Sequence, residues 1–503
     1  MPGSHPIALE NPDMNDTTPT DTVPARASEQ SGTEKLAPGS ALVIGLLMGT
    51  TFLVLLNEML LGVALPTLID DLGITPSTGQ WLTTGYLLTL AVLIPATGYV
   101  MRRLHMRTIF LSALTLFIVG TAISAAAPGF AVLLTGRIVQ AAGTAVFAPL
   151  LMTTAMRLIP ESRRGSIMAL VTAVPAIAPA VGPGVSGLVL SLLTWRWLFI
   201  LVLPVAAVAW VVGAVKLKNI TTPQPATLDI VSLVLSALGF GCLIFGLASI
   251  GESASGHAPV PPAIPIAVGI LGVAAFAYRQ VMLRRGGREP FLDMRIFRTS
   301  SFVMALLVMV FIGLNAFGIG LVLPLVLTGS LGLNTLSVGL FLVPGGVVIA
   351  LVSAAGGRVY DRFGARPLVI PGAVIWAASI WCLSSLDDSH SVWLYLATYL
   401  VVSASQAMMW APVTTLALSS LRAELYPYGS AAFATAQQLA GAAGGAVLVS
   451  AYTIGANAAD PGALSAGETA AAGQTAFTAA FVIALAAVVG ALFLGDRSRP
   501  DSA

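Results

Sequence analysis

Apolar residues occur in long runs that are separated by short stretches rich in glycine, proline and charged residues. A run of about 20 apolar residues crosses the hydrocarbon core of a bilayer as an α-helix. The runs predict fourteen membrane-spanning helices, with boundaries uncertain by about two to four residues. The predicted spans are residues 40–67, 79–101, 107–127, 130–155, 165–193, 196–215, 229–250, 263–282, 300–328, 335–356, 367–386, 391–418, 429–455 and 473–495.

The composition points to the same class of protein. Of 503 residues, 56% are hydrophobic and 9% are charged, whereas a soluble domain carries about 25% charged residues. We therefore predict an all-α, polytopic membrane protein. Cys242 and Cys382 both fall in apolar spans, so a disulfide framework is not expected. Residues 1–39 are polar and lack an apolar period, which predicts a disordered tail rather than a cleavable signal peptide.

The basic residues orient the predicted helices. Of the 24 lysines and arginines, all except Arg137 and Arg196 lie in the tails or in loops on one side of the spans. The loops on the opposite side carry acidic residues such as Asp70, Asp71 and Glu468. By the positive-inside rule, both termini are cytoplasmic, and this arrangement requires an even number of spans.

Proline and glycine landmarks recur at nearly constant spacing, which indicates an internal repeat. Val63-Ala64-Leu65-Pro66 matches Val322-Leu323-Pro324, Gly98 matches Gly357, Ala148-Pro149 matches Ala411-Pro412, and Gly165-Ser166 matches Gly429-Ser430. Parallel six-helix halves are typical of transporters with a site between the halves, although hydrophobic helices can also resemble one another by chance. The predicted organisation is a tail (1–39), an N-terminal bundle (40–216), an inserted two-helix segment with a basic loop (217–298), a C-terminal bundle (299–495) and a second tail (496–503).

Glu58 interrupts the first apolar run at a position inside the bilayer. A carboxylate there costs on the order of several kcal/mol, so it marks a candidate functional site. Arg137 lies in span 4, which runs in the opposite direction, and the helical rise places both residues roughly 10–12 Å below the outer surface. The two charges can form an ion pair that only stabilises the fold. Alternatively, Glu58 binds and releases a proton and Arg137 helps to reset it, because burial and a nearby arginine have opposed effects on a carboxyl pKa. We favour the second interpretation.

Four segments carry a resemblance to a known family. They are Leu56-Asn57-Glu58-Met59-Leu60-Leu61-Gly62 in span 1, Gly136-Arg137-Ile138-Val139-Gln140 in span 4, Pro179-Ala180-Val181-Gly182-Pro183-Gly184-Val185-Ser186-Gly187 in span 5, and Gly357 to Arg366 after span 10. On these segments, residues 40–495 resemble the 14-helix drug:proton antiporters (DHA2) of the major facilitator superfamily, and within them the lincomycin-resistance type of exporter.

The resemblance implies the major facilitator fold and a set of conformational residues. These are Pro179, Gly182, Pro183 and Gly187 in span 5, and Gly357, Asp361, Arg362, Gly364 and Arg366 in the loop after span 10. The first group is expected to form a kinked, closely packed pivot. The acid and arginines of the second group are expected to latch one conformation at helix ends. In the N-terminal copy of this loop, Arg102 replaces the aspartate and His105 replaces a glycine, which puts a latch there in doubt.

Polar and aromatic residues within the spans suggest a mostly apolar cavity that suits amphipathic compounds. Each of them is more often a packing residue than a ligand contact. The candidates are Asn57, Tyr86, Gln140, Asn315, Gln406, Trp410, Gln437 and Gln438. Asn315 is the repeat partner of Asn57, whereas the position that corresponds to Glu58 is Ala316.

The expected function is proton-coupled efflux of amphipathic small molecules by alternating access in the bacterial cytoplasmic membrane. A nucleotide-binding loop, a metal-ligand cluster and a basic nucleic-acid surface are not apparent, so we expect no cofactor other than the coupling proton, no nucleic acid and a monomer. A cationic substrate that competes for Glu58 and a neutral or zwitterionic one both fit the sequence. Two alternatives stay open: a dedicated exporter or flippase for a lipid, peptide or amino-acid metabolite, and, more remotely, an intramembrane enzyme or sensor.

Overall fold

The computed structural model describes residues 39–74, 76–160, 163–217, 219, 229–254, 260–288, 290–457 and 465–494. Within these ranges the chain forms sixteen α-helices and no strand. The helices are α1 (Ser40–Leu72), α2 (Pro76–Arg103), α3 (Met106–Ala125), α4 (Phe130–Thr144), α5 (Phe147–Leu158), α6 (Arg164–Leu192), α7 (Trp197–Ile200), α8 (Val202–Lys216), α9 (Ile230–Ala254), α10 (Ala263–Arg285), α11 (Ser300–Gly329), α12 (Thr335–Phe363), α13 (Arg366–Ser384), α14 (Val392–Ser419), α15 (Tyr426–Asn457) and α16 (Ala466–Leu492).

The prediction of an all-helical membrane protein is confirmed. Thirteen helical segments in the described part of the chain are long and apolar enough to cross a membrane. The predicted span that is not among them is the fifth, which corresponds to α6: its described apolar stretch, Arg164–Val174, is shorter than a span, although the helix itself has 29 residues. The predicted tails lie almost entirely outside the described residues, so their cytoplasmic location stays a prediction.

Two predicted spans are each divided into two helices, and in both a proline is the third residue of the second helix. Pro149 is the third residue of α5 and cannot donate a hydrogen bond to the carbonyl of Ala145, where α4 ends. Pro204 stands at the same place in α8, so the carbonyl of Ile200 at the end of α7 has no such donor. The helical path therefore restarts at both points without leaving the predicted span.

Close contacts between small residues join neighbouring helices. A side chain at Gly143 of α4 would collide with the backbone of Ala113 in α3. In the other part of the repeat, a Cβ at Gly318 of α11 would lie 2.7 Å from the carbonyl oxygen of Gly444 in α15. Because a membrane offers little hydrophobic force between helices, such close backbone approach is a main source of their attraction.

The predicted halves meet mainly along two helix pairs: α6 packs against α12, and α2 packs against α15. Smaller contacts join α14 to α6 and α5 to α15. We call these contacts the α6–α12 seam and the α2–α15 seam. They are related by the internal repeat, because α6 matches α15 and α12 matches α2. The inserted helices α9 and α10 pack on each other, and α9 also packs on both α2 and α15. The inserted pair thus lies beside one seam only.

Candidate functional site

Glu58 lies in the membrane-spanning part of α1, Ser40–Leu61, and its side chain is partly buried. Asn57, immediately before it, is almost completely buried, with 1% of its surface exposed. An α-helix forms here because residues 40–61 are nearly all apolar, with glycine confined to its first turns. The carboxylate is therefore held at membrane depth by a rigid backbone.

Arg137 of α4 is fully buried and is held by neutral groups. Its Nη1 donates hydrogen bonds to Gln140 Oε1 at 2.6 Å and to Asn57 Oδ1 at 3.4 Å. Its guanidinium lies 4.0 Å from the centre of the Tyr86 ring, a cation–π distance. Among the described residues, Arg137 forms no ion pair with Glu58, although the two charges interact electrostatically. The ion pair that the sequence allows is therefore not formed in this structure.

A chain of hydrogen bonds fixes the orientation of Gln140. Its Nε2 donates to Thr121 Oγ1 of α3 at 2.8 Å, which leaves its Oε1 facing Arg137. Thr144, one turn further along α4, accepts a hydrogen bond from the Tyr86 hydroxyl at 2.9 Å. Gly120 permits this arrangement because any side chain there would collide with the backbone of Gln140. The glycine thus brings α3 close enough for Thr121 to reach the site.

The span 5 segment contacts α1 directly beside Glu58. The Oγ of Ser186 donates a hydrogen bond to the carbonyl oxygen of Leu60 at 2.8 Å. A Cβ at Gly182 would lie 2.6 Å from Met59 Cβ, whereas a Cβ at Gly187 would have no neighbour within 4 Å. The side chains of Pro179 and Pro183 lie outside the described part of the structure. Gly182 therefore has a steric reason to be glycine that Gly187 lacks.

The last turns of α12 reach the first turn of α6. The sequence predicted a loop from Gly357 onward, but Gly357, Asp361 and Arg362 belong to α12, which continues to Phe363. Asp361 Oδ2 accepts a hydrogen bond from the Ser166 backbone N–H at 2.9 Å, and its Oδ1 accepts one from Gly165 N at 2.5 Å. A carboxylate in this position satisfies free N–H groups and interacts favourably with the helix dipole. Gly357 lets the helices meet, since a Cβ there would lie 2.7 Å from the Gly165 carbonyl oxygen.

The other predicted residues of this segment, Arg362, Gly364 and Arg366, lie at the end of α12 and just beyond it. Gly364 ends α12 with φ of 84° and ψ of −168°, a conformation that strongly favours glycine. Arg366 Nε donates to the Leu494 carbonyl oxygen beyond α16 at 2.8 Å. Arg362 is exposed, and its guanidinium lies 5.2 Å from the centre of the Phe363 ring.

The last turn of α2 makes a different contact at the corresponding place. Arg102, which replaces the aspartate, donates from Nη1 to the hydroxyl of Tyr428 at 2.8 Å across the α2–α15 seam. His105, which replaces the glycine, has an ordinary extended backbone and precedes α3. Arg102 thus bonds α2 to α15, but this contact contains no carboxylate that corresponds to Asp361.

The remaining cavity candidates lie in α11, α14 and α15. Asn315 is buried, and its Nδ2 donates to the Ala480 carbonyl oxygen of α16 at 2.9 Å. Trp410 is 5% exposed, and its indole N–H has no partner among the described residues. Gln406, Gln437 and Gln438 are partly buried, and none of them hydrogen-bonds to another described residue. Their role in binding a substrate stays a prediction.

Three residues that shape the site have no signal in the sequence motifs. Thr121, Thr144 and Ser186 are single hydroxyl residues in apolar helices. Such residues commonly hydrogen-bond to a carbonyl in their own helix, as Thr121 also does with Phe117 at 2.6 Å. Their contacts to Gln140, Tyr86 and Leu60 depend on how distant helices pack.

The similarity of this chain to known proteins agrees with the fold. The family model described as Major Facilitator Superfamily matches residues 47–445. The lincomycin resistance protein LmrB of Bacillus subtilis (strain 168) is 35% identical over 480 residues, which cover 93% of this chain and 97% of the relative. LmrB of Listeria monocytogenes is 36% identical over 85% of this chain and 89% of the relative.

Solved structures show the same fold at low sequence identity. The proton:xylose symporter XylE has a TM-score of 0.60 and 16% identity, covering 91% of this chain and 96% of its own. The human organic anion transporter MFSD10 has a TM-score of 0.63 and 16% identity, covering 90% of this chain and 100% of its own. The chain therefore belongs to the major facilitator superfamily, as a multi-pass transporter of the bacterial cell membrane.

Proposed function

We propose that this protein exports amphipathic small molecules, lincosamide antibiotics among them, in exchange for protons by alternating access. The observation that carries the proposal is the position of Glu58: a carboxylate at membrane depth, next to the buried Asn57–Arg137 contact and beside the α1–α6 packing. The similarity to proteins named for lincomycin resistance supports the choice of substrate class.

Glu58 is the proposed proton site, and Arg137 is the proposed group that resets it. In the described conformation Arg137 donates to Asn57 and Gln140, so Glu58 is not neutralised by a direct ion pair. A proton that binds from the outer side neutralises the carboxylate, and its release to the cytoplasm completes the cycle. No cofactor enters this scheme, and a monomer is sufficient for it.

Transport in vesicles tests the proposal. Purified protein in liposomes with an imposed pH gradient is assayed for lincomycin movement, with lipid, peptide and amino-acid metabolites in parallel. Glu58→Gln keeps the side-chain shape but removes the titratable group, so gradient-driven transport should be lost. Asp70→Asn is the matched control, because it removes an exposed acid from the far end of the same helix. Gradient-driven transport by Glu58→Gln at the wild-type rate would rule out Glu58 as the proton site.

A further inference from the structure

We propose that residues 290–298, here called the linker, form a second latch across the α2–α15 seam. It takes the place of the aspartate that the loop after α2 lacks. The proposal assigns a role to the inserted helices α9 and α10, which hold the linker in place. It rests on alternating access but on neither proton coupling nor the identity of the substrate.

The linker is anchored to the inserted helices by a buried glutamine. Gln280 of α10 is 1% exposed, and its Oε1 accepts hydrogen bonds from the backbone N–H groups of Phe291 at 2.8 Å and Leu292 at 3.4 Å. Its Nε2 donates to Ser232 Oγ of α9 at 2.8 Å. Every polar atom of the glutamine amide is thus used to fasten the linker to both inserted helices.

A buried carboxylate then fixes the second part of the linker. Asp293 is fully buried, and its Oδ2 accepts hydrogen bonds from Arg284 Nη1 at 2.9 Å and from Arg295 Nε at 3.0 Å. Its Oδ1 accepts a hydrogen bond from the Arg295 backbone N–H at 3.0 Å and caps a short 3-10 helix, Met294–Arg298. The guanidinium of Arg295 is thereby held in one orientation.

From this fixed position the linker touches both sides of the seam. The Phe291 ring stacks on Tyr99 of α2, with ring centres 5.0 Å apart and an angle of 13° between the planes. Arg295 Nη1 lies 3.5 Å from Glu424 Oε1, two residues before α15 begins. Movement of α2 away from α15 at this end has to break at least one of the two contacts.

The repeat shows how the two seams differ. At the α6–α12 seam, Asp361 caps the first turn of α6. The matching position at the α2–α15 seam is Arg102, a base that donates to the hydroxyl of Tyr428. The linker adds an aromatic contact and a charge contact to this seam. The acid lies on different sides of the two contacts. At the α6–α12 seam, α12 supplies the acid that caps α6. At the α2–α15 seam, the acid, Glu424, lies just before α15 and the linker supplies the base, Arg295.

Distance measurements between spin labels test the proposal without substrate or a pH gradient. Cys242 and Cys382 are first replaced by serine. Labels are then placed at two exposed residues: Leu104, which follows α2, and Phe363, the last residue of α12. Loss of a stacked aromatic pair or of a partly exposed ion pair should raise the population that is open at this end by about two- to tenfold. The variants are Phe291→Ala and Glu424→Gln.

Arg298→Gln is the matched control. Arg298 is an exposed arginine of the same 3-10 helix, and the contacts of the linker to α2 and α15 are made by Phe291 and Arg295 instead. It should leave the distance distribution unchanged. If the double variant Phe291→Ala/Glu424→Gln gives the distribution of this control, the linker is not a latch. If Phe291→Ala fails to fold, Glu424→Gln decides alone, since that side chain is 57% exposed and its loss does not disturb the interior.

Discussion

The hydroxyl of Ser186 lies 2.8 Å from the carbonyl oxygen of Leu60, so that α6 is bonded to the backbone of α1 two residues beyond Glu58. Gly182 lies one helical turn away on the same face of α6 and brings the two helices together at Met59. A change in the packing of α6 is therefore transmitted directly to the segment that carries the carboxylate.

Gly182→Ala should impair transport much more than Gly187→Ala. The new methyl group at position 182 would lie 2.6 Å from Met59 Cβ and would push α1 away from α6, at a cost of about 1–3 kcal/mol. The same change at position 187 meets no atom within 4 Å. Lincomycin export and the thermal unfolding midpoint are measured for both variants. Equal effects would mean that close approach to α1 is not the reason for glycine at position 182.

Gly143→Ala should destabilise the N-terminal bundle. The added methyl group would collide with the backbone of Ala113 and separate α3 from α4, with a cost of roughly 1–3 kcal/mol for overpacking. The separation would also weaken the Thr121–Gln140 hydrogen bond. Thermal unfolding in detergent measures the effect, and Gly49→Ala is the control, because a methyl group there has no neighbour within 4 Å. An unchanged unfolding midpoint for Gly143→Ala would contradict the packing argument.

Arg137→Ala should shift the pH dependence of transport. It removes the cation that interacts with Glu58 and leaves the Asn57 and Gln140 side-chain oxygens without their donor. The initial rate of export is measured in vesicles over a range of pH and compared with the yield of folded protein. A lower yield with an unchanged pH profile would favour a purely structural role for Arg137.

Asp361→Ala should increase opening at the end of the bundle where α12 meets α6. It removes the acceptor of the Gly165 and Ser166 N–H groups, and losing such a cap costs about 0.5–2 kcal/mol. After Cys242 and Cys382 have been replaced by serine, a cysteine introduced at the buried position Ala169 of α6, which faces Gly357 of α12, should then react faster with a membrane-impermeant thiol reagent. Arg358→Gln, an exposed change one turn earlier in α12, is the control. If both variants react at the same rate, the Asp361 cap does not hold this end closed.

Asp229→Asn should lower the thermal stability of the inserted helices at neutral pH but not in strong acid. The hydrogen bonds from Arg279 are the main reason that the pKa of Asp229 falls from 3.8 to about 2, and Ser232 adds to the effect. A carboxyl group with a lowered pKa stabilises the fold above its unfolded pKa and loses that contribution as the pH falls toward the folded pKa. The difference in unfolding midpoint between wild type and variant should therefore narrow between about pH 4 and pH 2. A constant difference would contradict this assignment.

The sequence predicted the helices well, because the length of an apolar run reports directly on membrane crossing. It also placed Glu58 and Arg137 in membrane-spanning helices, where charges are costly, and their role in proton coupling stays a prediction. It did not predict that Arg137 would bind Asn57 and Gln140, because side-chain partners depend on the rotation of each helix about its axis. The contact between Arg102 and Tyr428 joins residues 326 positions apart, and no local pattern reports such a pair.

The division of span 4 at Ala145 and Val146 affects how the transport cycle can be observed. α4 carries Arg137 and is packed closely on α3, whereas α5 reaches the C-terminal bundle through a 2.7 Å hydrogen bond between Thr153 and Ser430. Because Pro149 has no N–H to offer the Ala145 carbonyl oxygen, one hydrogen bond of the helix is missing here, and helices bend most readily at such points. Paired fluorescent reporters on α4 and α5 would therefore show whether this span bends during turnover.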